Sequence, residues 1–270
     1  MSTHALATTG TGATTAATKT KIGSTLTLPS GGPWLIFGLW AQVAKVTAAA
    51  NEGTGGQLII DSLTGDLVPD PAPGKYPLTG SCVVQGANNS ISALPLNIWP
   101  VNWQASGKAQ IDLSYLNQLA ITTGSAVAAG IIFGDKIPEK KPFPFCDSVY
   151  SAFASALESS IGTITLAEKA TRIVGIMGVL AKGDAPTAGQ AVLGTFRLSS
   201  SDIMLPPAQY PFAYCYDACT GTPVGQSAMP MAQFISVDIE VEGGARIDCF
   251  ATTTQSVTGN ADVQIYIAYE

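Results

Sequence analysis

Gly38–Lys45 reads GLWAQVAK and Gly175–Lys182 reads GIMGVLAK, so a similar pattern returns after 137 positions (175 − 38). Ile22–Leu28 (IGSTLTL) likewise returns as Ile161–Leu166 (IGTITL). Further pairs keep the same order and nearly the same spacing: Tyr76-Pro77 with Tyr210-Pro211, Gly107–Asp112 with Gly243–Asp248, and Thr123-Gly124 with Thr258-Gly259. A constant offset between ordered matches is the mark of a repeated structural unit. The chain is therefore predicted to contain two copies of one fold.

Each copy has the pattern of short β-strands. Runs rich in Val, Ile, Thr and aromatic residues are separated by Gly, Pro, Asn and Asp, as in strands joined by turns. Apolar and polar residues alternate in 235–242 and in 263–267, which predicts strands with one face in water. Seven or eight strands in each copy predict a β-sandwich or jelly roll. The predicted strands are 23–28, 34–46, 57–63, 79–85, 96–104, 108–116 and 126–134, then 162–167, 171–182, 190–199, 212–217, 233–241, 245–253 and 261–269.

The fold class expected is all-β, with two tandem jelly-roll β-sandwiches and a short helix near the junction. We expect a flexible N-terminal arm over 1–21 and jelly rolls over 22–135 and 161–270. Residues 136–160 between them read as a proline-rich linker followed by the helix. Val149, Phe153, Leu157 and Ile161 are spaced four apart behind Asp147-Ser148, as in an amphipathic helix with an N-cap.

The composition excludes most enzyme chemistry, and the chain is predicted not to be an enzyme. Its one histidine, His4, lies in the expected arm, whereas nucleophilic triads need a positioned imidazole. Cys215 and Cys219 lack the second pair of ligands that a tetrahedral zinc site requires. We predict no catalytic residues, no cofactor-binding residues, no metal ligands and no cofactor. The five cysteines are interpreted as mainly reduced and buried.

The acidic residues are interpreted as structural. Asp112 and Asp248 occupy matching positions in the two copies, which places them in different units and not in one catalytic pair. Asp238, Glu240 and Glu242 form an acidic stripe on one strand. A solvated strand edge is the favoured interpretation of that stripe, and a calcium site or a subunit contact is the alternative.

The low fraction of charged residues indicates what kind of function the protein has. Charged residues make up 12% of the 270 residues, the net charge is −6, and the mean hydropathy is +0.28. A chain with so few charged residues is expected to have much apolar surface outside its core. Large apolar patches mark interaction sites, so we expect this surface to be buried against other molecules. We expect Trp34, Trp99, Trp103 and Phe143 to be core or inter-subunit anchors, with Trp99 aligned to Phe234 of the second copy.

The paired landmarks, from Ile22 to Asp135 and from Ile161 to Glu270, together resemble the double jelly-roll major capsid proteins of tailless icosahedral double-stranded DNA viruses. The resemblance implies a structural protein that trimerises into pseudo-hexagonal capsomers and tiles an icosahedral shell. It implies as partners further copies of the chain, minor capsid or penton proteins and an internal viral membrane, but no sequence-specific nucleic acid. The implied location is the virion, and no signal peptide or transmembrane segment is predicted.

One alternative function comes from a different class. A carbohydrate- or receptor-binding β-sandwich, such as a spike or adhesin, would also be poor in histidine and rich in strands. It would present exposed aromatic rings as a sugar platform. A glycosidase on a jelly-roll scaffold would need two convergent carboxylates, and the sequence offers no obvious pair.

Overall fold

The computed structural model describes residues 3–15, 17–45, 56–63, 65–71, 74–77, 98–117, 125–135, 144–153, 157–182, 194–212, 214–217, 234–253 and 261–270. This part of the chain contains strands and turns but no helix. The chain divides into two compact units, and the described part of the first ends at Cys146. The fold is all-β, as the sequence predicts.

The first unit contains two sheets. Sheet 1A has the order β1-β10-β4-β8-β6, and sheet 1B has the order β2-β9-β5-β7 with β3 also paired to β9. Their strands are β1 (Thr3–Thr11), β2 (Lys19–Lys21), β3 (Leu26–Thr27), β4 (Trp34–Lys45), β5 (Gly56–Ser62), β6 (Leu67–Val68), β7 (Gly74–Pro77), β8 (Trp99–Ala105), β9 (Gln110–Asn117) and β10 (Ser125–Gly134).

The second unit also contains two sheets. Sheet 2A has the order β11-β19-β13-β16 with β17 also paired to β13, and sheet 2B has the order β12-β18-β14-β15. Their strands are β11 (Phe145–Phe153), β12 (Ser159–Thr165), β13 (Arg172–Lys182), β14 (Gly194–Ser199), β15 (Gln209–Pro211), β16 (Tyr214–Asp217), β17 (Ile235–Glu240), β18 (Arg246–Thr253) and β19 (Ala261–Tyr269).

Both units have the strand order of a jelly roll. Among the described strands, β3, β6 and β16 have no separate counterpart in the other unit. With these set aside, the described part of each unit has eight strands in chain order. In both, one sheet pairs the first, eighth, third and sixth strands, and the other pairs the second, seventh, fourth and fifth. Eight strands in two such sheets form the double-sheet jelly roll. The predicted double jelly roll is confirmed by this shared order.

The repeat extends to irregular features of the strands. The pairing of β4 with β8 shifts register between Ile36 and Gly38, and the pairing of β13 with β17 shifts between Ile173 and Gly175. The same two segments also shift against β10 and β19. A β-bulge is a specific local feature, so its presence at matching positions supports duplication of one unit. The register also corrects one alignment, because Ile235 and not Phe234 occupies the position of Trp99.

The turn that precedes β9 recurs before β18. Ala109 N–H donates to the Ser106 carbonyl at 3.3 Å, and Ala245 N–H donates to the Glu242 carbonyl at 3.2 Å. At the third residue of each four-residue turn, Lys108 has a φ of 66° and Gly244 has a φ of 80°. The two turns therefore have matching hydrogen bonds and left-handed residues at matching positions.

The two sheets of each unit bury their facing sides. Along β8 and β18, buried residues alternate with more exposed ones, as expected for a sheet with one face in the core. In the second unit, a Cβ on Gly178 would lie 2.6 Å from the Phe196 ring and 2.7 Å from that of Phe212. Glycine therefore provides the space in sheet 2A that the aromatic rings occupy.

The structure corrects the predicted arm and the predicted helix. Residues 3–11 of the expected arm form β1, which pairs with β10 from Thr3 to Thr11. The predicted helix behind Asp147-Ser148 is wrong as well, because residues 145–153 form β11. Both segments are the first strand of their unit, and in each case hydrogen bonding to the eighth strand outweighs local composition. Residues 136–143 of the predicted linker lie outside the described residues.

One further prediction is wrong. The alternation in 263–267 predicts a strand with one wet face, but every residue from Val263 to Tyr269 is buried. By contrast, the alternation in β17 is confirmed, because Ser236, Asp238 and Glu240 are exposed and the residues between them are not.

In the described part of the chain, no helix is long and apolar enough to span a membrane.

Candidate interaction surfaces

Two of the predicted aromatic anchors lie in the core of the first unit. Trp99 is 4% exposed and Trp103 is 0% exposed. The indole N–H of Trp99 donates to the carbonyl of Pro77 at 2.8 Å, which satisfies its polar atom inside the core. Phe143 lies outside the described residues. These two tryptophans therefore contribute to folding of the unit itself, and they are not at its surface.

Trp103 and Tyr76 share one acceptor. The Trp103 indole N–H donates to the carbonyl of Pro144 at 2.9 Å, and the Tyr76 hydroxyl donates to the same oxygen at 3.1 Å. The two rings meet edge to face with centroids 5.8 Å apart. Pro144 directly precedes β11 and belongs to the first unit, so these bonds hold the last residues of that unit against its core. The repeat pattern gives no indication of this contact, because Pro144 belongs to neither of the paired landmarks.

Trp34 belongs to a smaller aromatic cluster. It is half-buried, and its indole N–H donates to the Pro29 carbonyl at 3.1 Å. Its ring packs edge to face against Phe133, with centroids 5.4 Å apart, and against His4 at 5.5 Å. His4 also stacks on Phe133 at 5.3 Å. The histidine therefore anchors the start of β1 on an apolar cluster, whereas the sequence places it in a flexible arm.

The outer face of sheet 1A is uncharged. The register places Ala128 between Gln42 and Thr9, and Gly130 between Trp40 and Ala7. These positions alternate with the buried Val127, Ala129 and Ile131, so they point away from the core. No outward-facing position of the five strands, as far as the structure describes them, carries a charged residue. The outward positions include Ala5, Ala7, Trp40, Val68, Ala128 and Ile132.

Several apolar side chains on this face are accessible. Val68, at the edge strand β6, is 60% exposed, and Ile98, which precedes β8, is 51% exposed. A Cβ on Gly38 would lie 3.0 Å from Ile98 and 3.1 Å from Ile132, so both side chains cover this glycine. A Cβ on Gly130 would likewise lie 2.7 Å from the Trp40 indole, so this ring covers Gly130. Exposed apolar groups without charges among them are typical of a surface that contacts another molecule.

The corresponding face of sheet 2A differs. Met177, Tyr266 and Ala268 occupy outward positions and are at most 1% exposed. Gln264 on the same face is 5% exposed, and its side-chain oxygen accepts a hydrogen bond from the Tyr266 hydroxyl. The outer face of sheet 1A is therefore the more accessible of the two.

The acidic stripe of the second unit lies at an edge. Asp238 and Glu240 are exposed on β17, and Asp238 forms an ion pair with Arg172 at 2.7 Å. Among the described residues, no group of three or more His, Cys, Asp or Glu is arranged to hold a metal ion. These contacts are those of a solvated, charged strand edge.

The paired aspartates hold equivalent strands together. The Thr25 hydroxyl donates to Asp112 at 2.7 Å, and the Thr163 hydroxyl donates to Asp248 at 2.6 Å. Asp112 also forms an ion pair with Lys21 at 2.7 Å. Burial alone would raise the pKa of Asp112, but the hydrogen bonds from Lys21 and Thr25 and the charges of Lys21 and Lys19 lower it overall. Both aspartates are therefore structural residues in matching positions.

Two of the five cysteines, Cys146 and Cys249, are buried. Burial, followed by the negative charges of Asp248 and Asp147, raises the pKa of the Cys249 thiol. A thiol in this environment is protonated and unreactive.

The comparisons with known proteins add little to this description. No protein-family model matches the chain, and no curated protein matches it. Among solved structures, the chain is similar to one described as the crystal structure of the STIV MCP, with 9% sequence identity and a TM-score of 0.37. That alignment covers 100% of this chain and 97% of the other. The double jelly-roll class rests on the strand order of the two units.

Proposed function

We propose that the protein is a structural capsid protein that forms trimers and tiles an icosahedral virion shell. The observation that carries the proposal is the pair of jelly rolls with one strand order in a single chain. Three such chains supply six similar units, which is the number needed to approximate a hexagon. Closed symmetric assembly is the usual arrangement of identical chains.

The uncharged outer face of sheet 1A supports this proposal. Apolar surface such as Trp40, Val68 and Ile98 gains free energy when it leaves water, at roughly 25 cal/mol per Å². A protein that assembles into a shell buries such surface against neighbouring subunits. The role also implies minor capsid proteins at the vertices and an internal membrane as further partners.

Two of the tryptophans that the sugar-binding alternative would need at the surface are buried. Trp99 and Trp103 are buried, and the N–H groups of both rings bond to backbone carbonyls within the unit. Rings held in this way provide no platform for a sugar. The buried tryptophans therefore favour a protein whose aromatic residues serve its own core.

Negative-stain electron microscopy and mass photometry of the purified full-length chain test the proposal. We expect trimers with a pseudo-hexagonal outline, and shells or sheets of them at higher protein concentration. A protein that stays monomeric over the whole accessible concentration range would overturn the proposed function.

A further inference from the structure

β1 is a sheet edge without the features that normally prevent edge-to-edge pairing. It is the terminal strand of sheet 1A, and β10 is the one described strand that pairs with it. Its nine residues, THALATTGT, include no proline, lysine, arginine, aspartate or glutamate. Its register with β10 runs from Thr3 to Thr11 without a bulge. An exposed, regular and uncharged edge is a template for another strand.

The other terminal strands of the described sheets are each protected. β6 has two residues and is followed by Pro69, β2 carries Lys19 and Lys21, and β7 carries Lys75. In the second unit, β15 ends in a proline, β17 and β11 carry aspartate, β16 is a four-residue strand, and β12 contains a bulge. Short length, charge, proline and bulges all discourage edge pairing. The contrast identifies β1 as the edge that is left available.

The available part of the edge is its first half. The Thr8 hydroxyl donates to the Ile22 carbonyl at 3.0 Å and accepts the Ser24 N–H at 2.9 Å. Gly23 lies so close to Thr9 that a Cβ on it would be 2.3 Å from the Thr9 carbonyl oxygen. Residues 22–24 therefore cover β1 from Thr8 onward, and Thr3–Ala7 remains open in the described structure.

We propose that Thr3–Ala7 pairs antiparallel with the same segment of a second copy of this chain, about a two-fold axis at Ala5. The segment is suited to self-pairing because the residues brought opposite each other are Thr3 with Ala7, His4 with Leu6, and Ala5 with Ala5. None of these pairs sets like carboxylates or ammonium groups against each other, which would oppose association. The contact joins two copies of sheet 1A into one continuous sheet.

The inference rests on the proposed self-assembly and specifies one of its contacts. A two-fold contact of this kind is isologous, so it connects pairs of chains and is distinct from a three-fold contact within a trimer. The edge contributes backbone hydrogen bonds to the contact.

Cysteine crosslinking of the full-length protein tests the pairing directly. Opposed residues of an antiparallel pair have Cβ atoms about 4.5–5.5 Å apart, which is near disulfide geometry. Under oxidation with diamide, Ala5→Cys is expected to give a covalent dimer in at least tenfold excess over the wild type, which controls for the native cysteines. The matched control is Ala126→Cys, an exposed alanine on the interior strand β10 of the same sheet, which should remain at the wild-type level.

A second variant tests the contribution of the contact to association. Ala5→Lys places charge on the edge and is expected to raise the concentration for two-fold association at least tenfold, without changing the melting temperature. If the wild type forms trimers but Ala5→Cys does not crosslink and Ala5→Lys associates normally, the edge contact is wrong and the proposed function stands. If the wild type does not associate at all, both are wrong.

Discussion

The Trp103 indole N–H and the Pro144 carbonyl oxygen lie 2.9 Å apart, which connects the core of the first jelly roll to the residue that precedes β11. Trp103 is fully buried, and Tyr76 donates to the same carbonyl. The Pro144 carbonyl therefore accepts hydrogen bonds from two side chains of the core, which restrict its position. Both donors and the acceptor belong to the first unit, so these bonds hold the end of its chain against its own core.

Replacement of this tryptophan should destabilise the first unit strongly. We expect Trp103→Ala to lower the free energy of unfolding by about 3–5 kcal/mol, because it opens a cavity in a closed core. Trp103→Phe should cost less, because the phenyl ring leaves a smaller cavity than the alanine methyl group does. The measurement is urea denaturation, with Trp34→Ala as the control at a half-buried site. Equal losses for Trp103→Ala and Trp34→Ala would contradict the assignment of Trp103 to the core.

Deletion of residues 2–11 should impair folding, because it removes β1. The loss exposes the edge of β10 and removes the contacts of His4 with Trp34 and Phe133. We expect a lower melting temperature and a weaker near-ultraviolet circular dichroism signal than in the full-length chain. Deletion of residue 2 alone is the control, since it leaves β1 intact. A truncated protein that melts like the full-length chain would show that the segment is dispensable, as expected of an arm.

The sequence predicts most strands of the two units because the repeat reinforces weak local patterns. β4 and β13 are rich in apolar residues and match each other at a nearly constant offset, which locates them. The first strand of each unit is missed for different reasons. Thr3–Thr11 lacks large apolar residues, so its composition is typical of a tail, and Phe145–Phe153 has apolar residues at a spacing that also fits a helix. In both cases the deciding contact is the eighth strand, more than a hundred residues away in the chain.

The sequence predicts much less of the interaction surface. The low charge indicates that a surface must be buried, but not which one. The predicted core or inter-subunit anchors are Trp34, Trp99, Trp103 and Phe143. Of these, Trp99 and Trp103 lie in the core, while the exposed Ile98 and Val68 are not among the candidates. Which side of a strand faces the core depends on register and on bulges such as that at residues 36–38. Local composition does not determine these features.

Two glycines in matching turns should be equally intolerant of a side chain. A Cβ on Gly107 would lie 2.0 Å from the Gly31 carbonyl oxygen, and one on Gly243 would lie 1.8 Å from that of Glu168. Backbone atoms cannot rotate away, so Gly107→Ala and Gly243→Ala should each cost near the upper end of about 1–3 kcal/mol. Gly65→Ala is the control, since Gly65 has a φ of 67° but open space around its Cβ position.

The expected loss for Gly65→Ala is about 1 kcal/mol, from the left-handed backbone alone. Thermal and urea unfolding of the three variants measure the order of these losses. If one of the two turn variants is as stable as the wild type while the other is not, the turns are not equivalent, and the repeat does not extend to them.

The ion pair of Asp112 with Lys21 should make stability depend on pH in the acid range. The pKa of Asp112 is lowered in the folded state below its ordinary value of 3.8. A carboxyl with a lowered folded-state pKa stabilises the protein at pH values above its unfolded pKa. That stabilisation is lost as the pH falls through the folded-state pKa. Asp112→Asn should therefore be less stable than the wild type at neutral pH, and the difference should disappear in acid.

Urea unfolding as a function of pH measures this difference, and Lys21→Met tests its cause. Because Lys21 contributes both a hydrogen bond and a charge to Asp112, its removal should reduce the effect of Asp112→Asn in the double variant. The hydrogen bond from Thr25 then remains as the main interaction. If Asp112→Asn were equally destabilising in the presence and absence of Lys21, the aspartate would act through Thr25 alone. The second unit, in which Thr163 bonds to Asp248, would then show the arrangement sufficient for both jelly rolls.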